Sequence, residues 1–107
     1  MNTINAHQLK DLLDAREPLL LINAMEEYKF RAKHIPGSLN LFGKEEIEKT
    51  LKKDDTIIVY CTDHACNKSI LLYQLLDAMG YVHICRFSGG MMEWEEAGYP
   101  LEGEKIS

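Results

Sequence analysis

The chain has 107 residues, of which 46% are hydrophobic and 27% charged, and this is the composition of one water-soluble globular domain. Its net charge of −5 disfavours nucleic acid and anionic membranes as partners, because both surfaces are negatively charged. No apolar run is long enough to cross a bilayer and no N-terminal leader pattern is present, so we expect a single cytoplasmic domain over residues 1–107.

The first half of the chain alternates between predicted helices and strands. A helix with Asn5 as its N-cap is predicted by "NAHQLKDLLDA", in which leucines recur at helical spacing. A short buried strand follows in "EPLLLIN", and about two helical turns are predicted by "MEEYKFRAK" before Pro36 and Gly37 interrupt the backbone. Next come a short strand in "SLNLF" and an exposed helix in "KEEIEKTLKK".

The second half continues this alternation. The β-branched residues of "DDTIIVY" predict a strand, and "NKSILLYQLLDAMG" predicts an amphipathic helix with Gly80 at its C-terminal cap. A further strand is predicted by "YVHICRF", and a last short helix by "GGMMEWEEAG". Strands that alternate with helices indicate an α/β domain with a largely parallel sheet.

Cys61 comes directly after the strand predicted by "DDTIIVY", several residues before the next helix. In a parallel sheet, ligands bind outside the carboxyl ends of the strands. The N–H groups of a tight loop and of a helix N-terminus would lower the pKa of a thiol there, and a thiolate is a nucleophile. The alternative is that Cys61 is a small apolar residue that fills the end of the strand.

The loop after Cys61 allows two further interpretations. Zinc could take four ligands from Cys61, Asp63, His64 and Cys66, but structural zinc sites usually draw on two separated ligand pairs, and no second pair exists. A thioredoxin-like redox pair has two residues between its cysteines, whereas four separate Cys61 from Cys66. Cys66 could still reach Cys61 in a reversible disulfide if the loop bends, or it could pack inward or cap the start of the helix.

Three segments, in this order, carry a resemblance to a known family. The segment "FRAKHIPGSLNL" is similar to an aromatic-x-x-x-His-Ile-Pro-Gly-Ala signature, with Ser38 in place of alanine. The second is "IIVYCTDHACNKS", which resembles a strand and loop around an active-site cysteine. The third, "FSGGMMEWEEAGYPLEG", is similar to a closing Gly-Gly-x-x-x-Trp-x-x-Ala-Gly-x-Pro segment. Together they resemble the rhodanese-like domains over nearly the whole chain.

The resemblance implies an α/β, three-layer domain with a five-stranded, mainly parallel sheet flanked by helices. It implies that Cys61 is the nucleophile that accepts sulfane sulfur from a small donor such as thiosulfate or a persulfide, and that the acceptor is cyanide or a protein thiol. No metal or organic cofactor is expected. The substrate-binding loop that would hold the persulfide through its backbone N–H groups consists of Thr62, Asp63, His64, Ala65, Cys66, Asn67 and Lys68.

The loop departs from the commonest family pattern, in which an arginine follows the cysteine after four residues. Here six residues separate Cys61 from Lys68, and the spacing of Cys66 and Ser69 resembles that of a subgroup. Lys68 either replaces part of the arginine's charge or is a solvated residue of the helix. A second departure is Asn23, at a position where many relatives carry an Asp-x-Arg pair, so we expect weak thiosulfate–cyanide turnover.

Outside the loop, most distinctive side chains are expected to be structural. His34 should fix the "HIPG" turn through a ring hydrogen bond, and Trp94 and Cys85 should lie in the core. His64 could favour a thiolate electrostatically or be exposed, and Met91 with Met92 could border the site.

Two other functions remain open beside sulfur transfer. Cysteine phosphatases and arsenate reductases of this fold need an arginine to hold an oxyanion, and the nearest equivalent position here is Asn67. A non-catalytic or redox-responsive interaction module is the other alternative, because the loop is unusual and the arginines are missing.

Overall fold

The computed structural model describes residues 1–41, 43–63 and 65–105, and within them the chain forms five strands and five helices. The strands are β1 Thr3–Ile4, β2 Leu20–Asn23, β3 Leu39–Asn40, β4 Thr56–Tyr60 and β5 His83–Phe87. The helices are α1 Ala6–Asp14, α2 Glu27–Ala32, α3 Gly43–Thr50, α4 Lys68–Ala78 and α5 Gly90–Glu96. In the part of the chain covered, no helix is both long and apolar enough to cross a membrane.

The strands form a single sheet in the order β1-β5-β4-β2-β3, and each strand pairs in parallel with its neighbour. The predicted α/β fold with a five-stranded parallel sheet is therefore confirmed. The one antiparallel contact among the described residues is an isolated bridge between His34 and Glu102, outside the sheet.

Both faces of the sheet are covered, as the continuous apolar run of β4 predicts. Because side chains alternate along a strand, Ile58 and Tyr60 pack into one core cluster and Ile57 and Val59 into the other. The first cluster includes residues of α1 and α5, and the second includes residues of α3 and α4. The fold consequently has three layers, with β4 buried in the middle.

The predicted start of α1 and the predicted end of α4 agree with the structure, whereas α3 ends at Thr50, before the Lys52 and Lys53 that the predicted helix included. At the start of α1, Asn5 Oδ1 accepts from the Gln8 N–H at 2.8 Å, and Gln8 Oε1 accepts from the Asn5 N–H at 2.9 Å. This reciprocal pair is a capping box that satisfies two backbone donors. After α4, Gly80 lies one residue beyond Met79 with a φ of +94°, the left-handed conformation that ends helices at glycine.

Of the five strands, β1 is the one that was not located from the sequence pattern. It consists of two residues, Thr3 and Ile4, which pair with Arg86 and Phe87 at the edge of the sheet. Its two residues are too few to show the alternation by which strands are recognised, whereas the equally short β3 lies within the longer predicted segment "SLNLF".

The turn after α2 is attached to the central strand through the buried Tyr60. The hydroxyl of Tyr60 accepts from the Ile35 N–H at 3.1 Å and lies 2.8 Å from Ser38 Oγ, which itself donates to the Ile35 carbonyl at 2.7 Å. Burial raises the pKa of Tyr60 above its usual range, so the hydroxyl keeps its proton. Ser38, which replaces the usual alanine, thus completes a closed set of hydrogen bonds.

His34 has the structural role predicted for it. Its Nδ1 lies 2.7 Å from the Phe30 carbonyl, and its Nε2 lies 3.2 Å from Glu102 Oε1. The ring also stacks on Phe30, with centroids 4.1 Å apart. His34 therefore connects α2, the turn and the C-terminal segment.

We predict that Tyr60→Phe lowers the free energy of unfolding by about 1–3 kcal/mol, because the buried Ile35 N–H loses its acceptor. Urea denaturation followed by circular dichroism measures the change. Ser38→Ala is the matched control, and its loss should be smaller because the bond between Tyr60 and Ile35 remains. Equal midpoints for Tyr60→Phe and the unmodified protein would contradict the proposed role of the hydroxyl.

Candidate functional site

Cys61 lies at the carboxyl end of the central strand, where the sequence places it. It is the residue after β4, and only 1% of its surface is exposed. Its carbonyl accepts from the Met91 N–H at 2.9 Å, and the Thr62 carbonyl accepts from the Met92 N–H at 2.9 Å. The start of α5 therefore fixes the backbone from which the loop begins.

Gly90 permits this close approach between α5 and the loop. It has a φ of +60°, and a Cβ built on it would lie 2.4 Å from the Cys61 carbonyl oxygen and 2.9 Å from the Thr62 carbonyl carbon. A side chain there would collide with backbone, which cannot rotate away. The second glycine of the "SGG" segment is thus required by the packing of the site itself.

Cys61 and Cys66 are joined by a disulfide bond, with their Cα atoms 6.3 Å apart. Of the outcomes considered for Cys66, the structure therefore shows the bend of the loop back toward Cys61. Cys66 is partly buried and packs against the core cluster that contains Cys61. In this form, neither Cys61 nor Cys66 has a free thiol.

Asp63 organises the middle of the loop. Its Oδ1 accepts from the Ala65 N–H at 3.0 Å and from the Cys66 N–H at 3.1 Å. An aspartate that bonds the backbone two residues ahead makes an Asx-turn. In the disulfide form, two backbone N–H groups of the predicted substrate-binding loop are consequently hydrogen-bonded to a carboxylate.

Arg86, on β5, lies beneath the loop, in a role that was not predicted from the sequence. It is 7% exposed; its Nε donates to Ser69 Oγ at 2.8 Å and its Nη2 donates to the Cys66 carbonyl at 3.4 Å. The available signal was a charged residue on the same face of a strand as the buried Ile84, because a buried guanidinium needs polar partners. Arg86 places a positive charge under the loop and explains the serine at position 69.

Lys68 pairs its charge with a carboxylate outside the loop. Its Nζ donates to Glu26 Oε1 at 2.8 Å, in an ion pair in which both side chains are close to half exposed. The hydrogen bond and charge of Lys68 lower the pKa of the Glu26 carboxyl. The structure thus gives Lys68 a defined partner that was not foreseen.

The other predicted site residues are placed as follows. Thr62 Oγ1 lies 3.9 Å from Cys61 Sγ, and Asn67 precedes α4 without a side-chain capping bond. His64 lies outside the described residues, and its role stays a prediction. Met92 is half exposed, with its N–H bonded to the Thr62 carbonyl, whereas Met91 is buried.

The residues expected to be structural lie in or against the core. Trp94 is 1% exposed and donates its indole N–H to the Pro100 carbonyl at 2.8 Å, which confirms its role as a core anchor. Cys85 is a free, partly buried thiol that packs against the core, and burial raises its pKa.

Asn23 is part of an uncharged hydrogen-bond network, at the position where the sequence lacks the Asp-x-Arg pair of the family that it resembles. It is fully buried, and its Oδ1 accepts from the Met25 N–H at 2.7 Å. The side-chain amide of Asn40 donates to the Met25 carbonyl at 2.9 Å and to the Asn23 carbonyl at 3.2 Å. The segment between β2 and α2 is therefore held by amides, without any need for a buried charge.

Comparisons with known proteins agree with this architecture. The family model for the Rhodanese-like domain matches residues 5–97. A rhodanese-like domain from Anabaena is similar in structure, with a TM-score of 0.88 and 24% identity, over 98% of this chain and 81% of its own. A rhodanese-related protein from Thermoplasma volcanium has a TM-score of 0.77 and 26% identity, over 97% of this chain and 100% of its own.

A thiosulfate sulfurtransferase from Pseudomonas aeruginosa is also similar, with a TM-score of 0.83 and 25% identity. The match covers 97% of this chain but 20% of the Pseudomonas chain, so this chain corresponds to about a fifth of that protein. No curated protein is significantly similar in sequence.

We predict that Gly90→Ala is more destabilising than Gly98→Ala. Both glycines have positive φ angles, so each substitution carries a backbone cost of about 1–2 kcal/mol. A Cβ on Gly98 meets no atom within 4 Å, whereas one on Gly90 meets the Cys61 carbonyl, which adds about 1–3 kcal/mol of overpacking. Denaturant unfolding of the two variants measures the difference, and equal losses would show that the contact is unimportant.

Proposed function

The chain belongs to the rhodanese-like domain family, and we propose that it transfers sulfane sulfur through a persulfide formed on Cys61. A sulfurtransferase-type role is supported by the family match and by the similarity to a thiosulfate sulfurtransferase. The observation that carries the proposal is the position of Cys61 at the carboxyl end of the buried central strand, at the start of the loop that leads into α4. Ligands bind at this edge in parallel sheets.

The proposed chemistry needs only sulfur nucleophiles. The Cys61 thiolate attacks the sulfane sulfur of thiosulfate, a new S–S bond forms, and sulfite leaves with the electron pair of the bond that breaks. A protein thiol, or cyanide in the test tube, then attacks the outer sulfur of the persulfide and regenerates the Cys61 thiolate. Neither a metal nor an organic cofactor takes part, and the expected setting is the cytoplasm.

Residues 62–68 are proposed to bind the persulfide and the donor once the disulfide is reduced. In the disulfide form the Ala65 and Cys66 N–H groups are bonded to Asp63, so the loop must release them before they can donate to an anion. The guanidinium of Arg86 supplies positive charge near this backbone, through its bond to the Cys66 carbonyl. Reduction is therefore the first step toward an active loop.

A redox-responsive interaction module without turnover is the second candidate function. It is favoured by the disulfide, which consumes the Cys61 sulfur, and by the near-complete burial of Cys61. The two candidates differ in what the reduced protein does with a sulfur donor.

We predict that the fully reduced protein, after removal of the reductant, releases sulfite when it is mixed with thiosulfate. Cys61 then carries one additional sulfur or has transferred that sulfur to a thiol. Intact mass spectrometry with the Cys66→Ser variant isolates the first step, because Cys66 cannot then react with the persulfide. The additional mass should disappear on treatment with cyanide. Cys85→Ser in the same background should gain sulfur equally.

A Cys61→Ser variant that gains the same mass would overturn the assignment of Cys61. If the Cys66→Ser variant folds yet neither gains sulfur nor releases sulfite, the second candidate function would replace sulfur transfer. Slow alkylation of Cys61, with a rate that rises only near pH ~8.5 where an ordinary thiol ionises, would support the same conclusion.

We predict that Glu26→Gln speeds the reaction of reduced Cys61 with thiosulfate, because Lys68 loses its carboxylate partner and its charge becomes available to the anionic donor. Lys68→Gln should slow the same reaction, and sulfite release measures both rates. Both side chains are exposed, so the two effects should vanish at about 1 M salt, where the Debye length is ~3 Å. Unchanged rates at low salt would show that Lys68 has no role in donor binding.

A further inference from the structure

We propose that Cys66 is a resolving thiol, which attacks Cys61 Sγ of the persulfide, expels the outer sulfur as hydrosulfide and forms the Cys61–Cys66 disulfide. The inference rests on the proposed persulfide of Cys61. It gives the chain a further activity, the reduction of sulfane sulfur to sulfide at the expense of its own two thiols. The product of that activity is the disulfide that the structure contains.

The geometry of the loop holds Cys66 next to Cys61. The Cα separation of 6.3 Å lies within the range that disulfides span without movement of the backbone. On one side of Cys66, its N–H donates to Asp63 Oδ1 at 3.1 Å. On the other side, its carbonyl accepts from Arg86 Nη2 at 3.4 Å, and Arg86 is bonded in turn to Ser69. The backbone of Cys66 is thus fixed from both ends by side chains, one of them buried.

The persulfide and the disulfide exclude each other. Each uses the single remaining valence of Cys61 Sγ, so the outer sulfur must leave when Cys66 bonds to Cys61. Cys61 is buried and Cys66 packs beside it, so the thiol of Cys66 is the nucleophile that the fold itself brings to bonding distance of the inner sulfur. An intramolecular nucleophile held in this way reacts at a high effective concentration.

The step balances without another reagent. The Cys66 thiolate attacks Cys61 Sγ of the protonated persulfide, the bond between Cys61 and Cys66 forms, and the bond to the outer sulfur breaks. The outer sulfur leaves as HS⁻, with its proton and the electron pair of the broken bond. The leaving sulfur is reduced, and the thiolate of Cys66 is oxidised to a disulfide.

A second turnover requires an external dithiol, so the expected partner is a thiol–disulfide oxidoreductase. Cys61 is buried, whereas Cys66 is partly exposed, so an incoming thiolate reaches Cys66 Sγ first. Attack there releases Cys61 as the thiolate that is ready for the next sulfur atom. The exposed Met92, bonded through its N–H to the Thr62 carbonyl, offers apolar surface beside the loop.

The test is one turnover with thiosulfate, in which sulfite reports the formation of the persulfide and sulfide reports its resolution. The reduced protein, freed of reductant, should release about one equivalent of each product and lose two hydrogen atoms as the disulfide forms. Cys66→Ser should release sulfite alone and retain the persulfide until dithiothreitol is added. Cys85→Ser, which removes the remaining thiol, should behave as the unmodified protein.

Failure of persulfide formation and failure of its resolution by Cys66 give different results in this test. If the unmodified protein and Cys66→Ser both retain the persulfide and release no sulfide, the resolving role of Cys66 is overturned while sulfur transfer stands. If neither releases sulfite, the proposed function fails and this inference fails with it. Cys66→Ala provides a second variant if the serine disturbs folding, and circular dichroism verifies that each variant is folded.

Discussion

The carboxyl end of β4 is the constraint on which the rest of the site depends. This strand pairs on both edges and is buried on both faces, so Tyr60 and Cys61 cannot move without disturbing the core. The side-chain hydroxyl of Tyr60 holds the turn after α2, and the backbone carbonyl of Tyr60 accepts from the Ala24 N–H at 2.8 Å. The backbone carbonyl of Cys61 holds the start of α5. Two consecutive residues therefore join segments that are far apart in the sequence, which explains why the three motifs occur together.

Charge is distributed in this site differently from the pattern that the family resemblance suggests. Asn23 and Asn40 hold the segment after β2 with neutral amides, and Tyr60 remains protonated because it is buried. Among residues 1–41, 43–63 and 65–105, every buried side-chain nitrogen or oxygen has a hydrogen-bond partner, as a stable polar interior requires. The formal charges near the cysteines instead belong to Asp63 in the loop and to Arg86 beneath it.

Much of the fold could be predicted from the sequence, because periodicity and capping are local signals. The capping box at Asn5, the apolar run of β4 and the glycine after α4 each identify an element from a few neighbouring residues. The two-residue β1 carries no such signal, because its pairing with β5 is determined by tertiary structure alone. Cys61 could likewise be located from its strand, and the resemblance added its chemistry.

The partners of the site residues could not be predicted in this way. Arg86 and Ser69 are 17 positions apart, and Lys68 and Glu26 are 42 apart, so only the folded chain shows that they meet. The disulfide lay within reach of sequence reasoning, because its cysteines are only five positions apart, but a bend of the loop was needed to bring them together.

That bend also brings a side chain of the loop onto the loop's own backbone. The loop contains a carboxylate, Asp63, whose Oδ1 already accepts from the Ala65 and Cys66 N–H groups. An anion could bind these two N–H groups only by displacing that carboxylate, whereas the disulfide form retains it. The Asp63 hydrogen bonds and the Cys61–Cys66 bond occur together in the structure, so a side chain of the loop itself helps to hold the disulfide form.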